Sequence, residues 1–232
     1  MKTIKGDGFT VQVIKTNRRK TMLLKVEQQG VTIRIPSRLP LSFARDFIDE
    51  KSSWIKAKLE QQSQHPVLER QFIDGETVLL FGQSYSLQFK NAQSKPHISI
   101  AGNNIICHAR LDKITKTAIR AAFIAWYKQQ AQSYLTERSD KFSQQTGLQA
   151  QSITVKTYRA RWGSCTLSGH IQYNWKLLMA PPDVIDYVII HEFCHTEHHN
   201  HSAAFWHLVE TYMPDYRSAR NWLKINGYRL EL

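Results

Sequence analysis

The part of this sequence that most constrains its fold is a short segment that ends near residue 195. Pro181-Pro182-Asp183 is typical of a helix start, and apolar residues follow it at helical spacing. The same predicted helix then carries His191-Glu192-Phe193-Cys194-His195. Residues i and i+4 share one face of a helix, so the imidazoles of His191 and His195 can reach one metal ion. We therefore predict a buried helix that presents a metal site at its end.

The same segment predicts a catalytic base and a third metal ligand. Glu192 is the predicted base, because a carboxylate beside the first ligand can hold and deprotonate a metal-bound water. His199 cannot be a ligand on a straight helix, since eight helical residues rise ~12 Å and Zn–N bonds are ~2.0–2.1 Å. If the chain turns at Asn200 and Ser202 caps the next helix, His201 projects toward the metal.

The spacing of the third ligand matches a known extended motif. His201 stands ten positions after His191, as in H-E-x-x-H-x-x-G-x-x-H, although His198 replaces the glycine, so the backbone turn must differ. Glu210 and Asp215 remain alternative third ligands. The remaining histidines and cysteines near the motif are interpreted as surface, supporting or small buried groups: Cys165, Cys194, His198, His199 and His207.

Charge and composition restrict the function classes. The 232-residue chain has a net charge of +12, and residues 1–150 carry most of it, with 23 basic and 12 acidic groups. This excess can attract nucleic acid or can simply keep the protein in solution. No apolar run approaches the ~18–20 residues of a membrane span, so we expect no membrane partner. The start has no apolar stretch of a secretory signal, and the three cysteines are scattered, which predicts a reduced, cytoplasmic protein.

The hydrophobic pattern predicts an α+β fold. Alternating apolar residues predict strands in a β-rich N-terminal region, residues 1–110, with an amphipathic helix over about 42–61. We place a second domain at 111–232, although no clear linker separates the two and one continuous domain is the alternative. A helix is predicted over about 112–145. The run 169–175 is either a core strand or an edge strand that aligns an extended substrate.

Three blocks of sequence carry a family resemblance. They are Y-R-A-R-W-G-S-C at 158–165, N-W-K-L at 174–177, and residues 186–195 with 200–206. Together they resemble the YgjP-like metallopeptidase domain family, which is related to the SprT-like and WLM zinc proteases. The resemblance covers most of the chain and implies a zincin-like helical C-terminal domain with a small β-sheet. It also implies Glu192 as catalytic base and zinc ligands at His191, His195 and His201.

The leading functional prediction is a zinc metallopeptidase that acts on a peptide or protein. We expect one Zn²⁺ per chain, with other divalent metals left open. The developing oxyanion needs a hydrogen-bond donor, for which Arg161, Tyr212 and Tyr216 are candidates.

Two other functions remain open at the level of sequence. Arg159, Arg161 and Lys176 can bind phosphate oxygens, which would suit a metal-dependent hydrolase of nucleoside triphosphates or other phosphoanhydrides. The absence of a G-x-x-x-x-G-K-[ST] loop argues against a P-loop enzyme. A non-catalytic, DNA-associated zinc module is the further alternative, but such a site needs no general base, and Glu192 is present.

Overall fold

The computed structural model describes residues 2–17, 21–27, 30–64 and 70–232, without the side chains of residues 61–64. It has six α-helices and three small mixed sheets in these residues, which confirms the predicted α+β class. The chain divides into two compact units, 1–67 and 68–232, and each has a hydrophobic core of its own.

The first unit is a four-stranded sheet with two helices. Its elements are β1 (Lys2–Lys5), β2 (Thr10–Thr16), β3 (Leu23–Glu27), β4 (Gly30–Pro36), α1 (Leu41–Glu50) and α2 (Ser52–Gln64). The strand order is β1-β2-β4-β3, and β2 and β4 are parallel neighbours. One helix was predicted over about 42–61, but the structure has two, since α1 ends at Glu50 and α2 begins at Ser52. Pro40, rather than the predicted Ser42, precedes the first helix.

The second unit begins with another four-stranded sheet, formed by β5 (Thr77–Leu80), β6 (Gln83–Asn91), β7 (His97–Ala101) and β8 (Asn104–Ala109). The strand order is β5-β6-β8-β7. A hairpin joins β7 and β8 at Gly102-Asn103, as predicted, and Gly102 has the positive φ (56°) that this turn needs. The predicted domain boundary near residue 110 follows this sheet and lies inside the second unit.

A long helix, α3 (Lys116–Thr146), comes next and matches the predicted helix over about 112–145. The Thr115 side chain accepts a hydrogen bond from the Ala118 N–H at 3.2 Å, which caps the first turn. Gly147 ends the helix in the left-handed conformation at φ 78°. The aromatic residues of its inner face belong to the core of the second unit: Phe123, Trp126 and Tyr127.

The third sheet has three strands, β9 (Ser152–Lys156), β10 (Gly163–Cys165) and β11 (His170–Asn174), in the order β10-β11-β9. Strand β11 pairs with β10 on one side and with β9 on the other. The core-strand interpretation of residues 169–175 is therefore confirmed. The edge-strand interpretation is wrong, because both neighbours already use the hydrogen-bonding groups of β11. Strand β10 is an edge of this sheet and packs against the helix that follows, α4 (Pro182–Cys194).

Three helices complete the second unit: α4 (Pro182–Cys194), α5 (Ala203–Tyr212) and α6 (Tyr216–Asn226). Helix α4 packs against α3, α5, α6 and β10, so most of its residues are buried. No helix in the described part of the chain is long and apolar enough to cross a membrane. The buried residues of α4 are Val184, Ile185, Tyr187, Val188, Ile189, Ile190, Glu192, Phe193 and Cys194.

Candidate metal centre and adjoining cleft

The chain turns directly after the histidine motif. Helix α4 ends at Cys194, and the Thr196 and His198 N–H groups donate to the last carbonyl groups of the helix. The turn was predicted at Asn200, but it begins earlier, because these bonds end the helix at His195. It brings the following loop back beside the end of α4.

The next helix begins at the predicted cap. The Ser202 hydroxyl accepts the Phe205 N–H at 3.4 Å, and the Asn200 side chain accepts the Ser202 N–H at 3.1 Å. These two local bonds fix the backbone on both sides of His201. The loop therefore holds His201 in one place between α4 and α5.

Three imidazoles meet where the loop returns. One ring nitrogen from each of His191, His195 and His201 lies within 4.8 Å of the others, and the Nε2 atoms of His191 and His201 are 3.1 Å apart. Zn–N bonds of ~2.0–2.1 Å in a tetrahedral site separate ligand nitrogens by about 3.3 Å. The donor set therefore fits one zinc-sized ion. The alternative ligands Glu210 and Asp215 do not belong to this group. Instead, the Glu210 carboxylate binds Arg217 and the Asp215 carboxylate binds Ser218.

Burial keeps His191 and His195 in the state that binds metal. Removal from water lowers the pKa of His191 to about 3, and the nearby His195, His201 and Arg220 act in the same direction. Burial also lowers the pKa of His195. His195 Nδ1 donates to the His198 carbonyl oxygen at 2.8 Å, which leaves its Nε2 lone pair free. A neutral imidazole with a free nitrogen is the form that a metal ion binds.

Aromatic rings support the three imidazoles. The buried Phe205 ring stacks on His195 at 4.4 Å and meets His191 and His201 edge-on, each at 4.9 Å. Trp206 stacks on His201 at 5.5 Å between ring centroids. Through these contacts, helix α5 fixes the orientation of the imidazole rings. The residues directly after the loop therefore contribute to the geometry of the site.

The predicted base is buried beside the imidazoles. Glu192 is only 5% exposed, and burial raises the pKa of its carboxyl to about 8, against the opposing effect of the nearby Arg161. Strand β10 lies directly against it. A Cβ atom on Gly163 would lie 2.5 Å from Glu192 Oε1 and 2.7 Å from its Cγ, so only glycine fits here.

A cleft of about 330 Å³ adjoins Glu192. His191 and Glu192 form part of its wall, and three cationic side chains, Arg161, Arg220 and Lys224, line the rest together with apolar residues. None of the three cations forms a salt bridge with any residue that the structure describes. The cleft therefore combines a buried acid with uncompensated positive charge.

The sequence of residues 20–226 matches the YgjP-like metallopeptidase domain. The chain belongs to this family. Membership makes it a hydrolase of a metallopeptidase family and implies a divalent metal, usually zinc. Among solved structures, the metallopeptidase zymogen of Pyrococcus abyssi abylysin is similar at 19% identity with a TM-score of 0.36, over 39% of this chain and 94% of that one. No curated protein matches the chain.

The structure places two predicted substrate contacts of this YgjP-like protein outside the cleft. Lys176 binds Glu231 near the C-terminus instead of facing the imidazoles. Tyr212 packs edge-on against Phe142 at 5.4 Å and lines a separate groove beside α3. Both residues were proposed as contacts because they lie near the motifs in the sequence. Proximity in sequence does not determine where a side chain points.

The other three predicted contacts have different surroundings. Arg161 lines the cleft, whereas Arg159 is exposed and absent from its lining. Tyr216 is buried and stacks on Trp206, so it supports the aromatic wall.

Sequence reasoning on this YgjP-like chain missed Arg220 and Lys224. The available signal was their i, i+4 spacing on α6, which puts both charges on one face of the helix.

Proposed function

We propose that this chain is a zinc-dependent peptidase in which His191, His195 and His201 hold one metal ion and Glu192 is the catalytic base. The observation that carries the proposal is the meeting of three imidazole nitrogens beside a buried carboxyl group. We further propose that the helical part of the second unit is zincin-like, since a motif helix and the following turn supply the ligands. Family membership supports a peptide or protein substrate.

The residues of the chain have separate tasks in this mechanism. A bound zinc ion would polarise the scissile carbonyl group and lower the pKa of water toward ~7. Glu192 accepts the proton of the attacking water and then donates it to the leaving amine. Gly163 leaves the space that the Glu192 side chain needs. Arg161, in the wall of the same cleft, is the proposed donor to the developing oxyanion.

Metal content tests the ligand set. We expect elemental analysis to find about one zinc per wild-type chain, and His201→Ala to lower the affinity by at least tenfold, because a three-ligand site loses one donor. His201 is exposed, so the change should not unfold the protein. His207→Ala, an exposed histidine outside the group, is the control. Equal zinc affinity in all three proteins would move the third ligand elsewhere.

Hydrolysis of casein tests the role of Glu192. Glu192→Gln keeps the shape of the side chain but cannot accept a proton, so we expect a loss of about 10²–10⁴-fold in rate with zinc still bound. Activity equal to the wild type in this variant would contradict the mechanism.

A second function is favoured by one observation. The unpaired cations beside Glu192 would also suit the phosphate oxygens of a nucleoside triphosphate or another phosphoanhydride. Such an enzyme should release phosphate or pyrophosphate from triphosphates, with the same dependence on Glu192, and should leave casein intact.

A further inference from the structure

We propose that Arg220 and Lys224 of α6, next to Arg161, form a subsite that binds an anionic oxygen group of the substrate beside Glu192. The proposal rests on the proposed function of the neighbouring centre and adds the substrate chemistry to it. The three side chains come from two separate parts of the second unit. Arg161 lies in the loop between β9 and β10, while Arg220 and Lys224 lie one turn apart on α6.

The charge in this cleft is available to a ligand. Among the described residues that line the cleft, Glu192 is the one acidic residue, and it is buried. Arg217 of the same helix provides the contrast, since its guanidinium is 2.8 Å from a Glu210 carboxylate oxygen. Unpaired surface cations are common singly, but three that converge on one concave wall beside a catalytic base raise the local concentration of anions.

Arg220 contacts the same aromatic wall that supports the imidazoles. Its guanidinium lies 4.6 Å from the centre of the Trp206 ring, and Trp206 in turn stacks on His201. A guanidinium stacked on an aromatic face keeps the N–H groups of its edge free to bind a planar or tetrahedral oxyanion. Arg220 is thus pre-oriented for an anion.

The chemistry of the subsite points to a carboxylate or a phosphoryl group. Both present the paired oxygen acceptors that arginine binds best. In a peptidase the source is an acidic side chain close to the scissile bond. A cleft of about 330 Å³ is at the small end of ligand sites, so it suits a single group rather than a long segment. We therefore expect selectivity at one substrate position.

Paired fluorogenic peptides that differ only by Glu or Gln beside the scissile bond test the proposal through hydrolysis. The wild type should cleave the Glu peptide about tenfold better in kcat/KM, mainly through KM, since a charge-assisted contact discriminates to this extent. The double variant Arg220→Gln/Lys224→Gln should bring the ratio close to one, and Arg217→Gln should leave it unchanged. An unchanged ratio in the double variant, or no preference in the wild type, would overturn a carboxylate subsite.

A direct binding experiment tests the subsite independently of the proposed peptidase function. Calorimetry with glutarate and with inorganic pyrophosphate needs no hydrolysis. Binding of either probe that weakens about tenfold in the double variant, but not in Arg217→Gln, supports the subsite even if no peptide is cleaved. Glutarate binding identifies a carboxylate ligand, and binding of pyrophosphate alone identifies a phosphoryl group. Equal affinity in the double variant and the wild type, or no binding of either probe, would show that the cleft has no such subsite.

Discussion

At the scale of single residues, the most restrictive contact is between Gly163 and Glu192. Gly163 has an ordinary negative φ, so its backbone does not require glycine. The requirement is steric, because the space in which a Cβ would lie is filled by the Glu192 side chain, at 2.5 Å from Oε1. The glycine of the R-W-G-S-C block thus determines where the proposed base can lie.

We expect Gly163→Ala to displace the Glu192 carboxyl group and to lower hydrolysis on the order of 10²-fold, since a 1 Å misplacement can cost that much. Zinc content should remain about one per chain, because the three atoms nearest to the added Cβ all belong to Glu192 and none to an imidazole. Gly75→Ala is the control: its Cβ meets nothing and its φ is 81°, so it strains the backbone and should lower stability without this loss of rate. A fully active Gly163→Ala protein would mean that Glu192 tolerates the shift.

The sequence was sufficient to predict some site residues but not others. His191 and His195 follow from helical periodicity, and His201 from its spacing, because all three lie within eleven residues. Arg220 and Lys224 lie about thirty positions beyond Glu192 and become its neighbours only because α6 packs on α4. Their i, i+4 spacing indicates a shared helix face, but no local pattern indicates which residues that face meets.

At the scale of structural elements, the segment after α6 is part of the core of the second unit. Leu230 is fully buried and Leu232 is 8% exposed. The carbonyl oxygens of Glu231 and Leu232 accept hydrogen bonds from Arg70 at 3.2 Å and from Arg120 at 3.1 Å. These bonds join the segment to residues more than a hundred positions earlier, so it stabilises the unit as an additional packed element.

We expect Leu230→Ala to reduce the free energy of unfolding of this unit by about 2–5 kcal/mol, the usual cost of removing a buried leucine side chain. Chemical denaturation followed by circular dichroism measures it. Ile225→Ala is the matched control, because Ile225 is 53% exposed, and its loss should change stability by less than about 0.5 kcal/mol. Equal losses in the two variants would show that the segment is not packed in solution.

Elements with local signals were predicted better than those with distant partners. Thr115 and Gly147 limit α3 through bonds to residues at most four positions away, so the sequence indicated its ends within a few residues. The central place of β11 depends on pairing with β9, eighteen positions earlier. Alternation alone cannot distinguish a central strand from an edge strand in such a sheet.

At the scale of the whole molecule, two cores and an uneven charge distribution are the main features. The core of residues 1–67 and that of 68–232 have no residue in common. The first unit carries 13 basic and 6 acidic groups, and the second carries 18 and 13. The candidate metal centre and the cleft lie entirely within the second unit. Relative to its length, this unit has a smaller net positive charge than the first unit.

We expect a protein that starts at residue 70 to fold and to bind zinc with nearly the affinity of the full chain, because its core and all proposed ligands lie in the second unit. A single cooperative thermal transition and about one zinc per chain would agree with this. Loss of both in the fragment, with the full chain intact, would show that residues 1–67 are needed for folding.

The burial of most of α4 also bears on how the candidate centre moves with time. Buried backbone amides of a helix exchange with water mainly when a large part of the unit opens, whereas an exposed loop can open locally. His191 and His195 lie at the end of the helix, whose amides exchange slowly, and His201 lies in the loop, which can open locally. We therefore expect backbone hydrogen exchange to be slower on the helical side of the candidate centre than in the loop that carries His201.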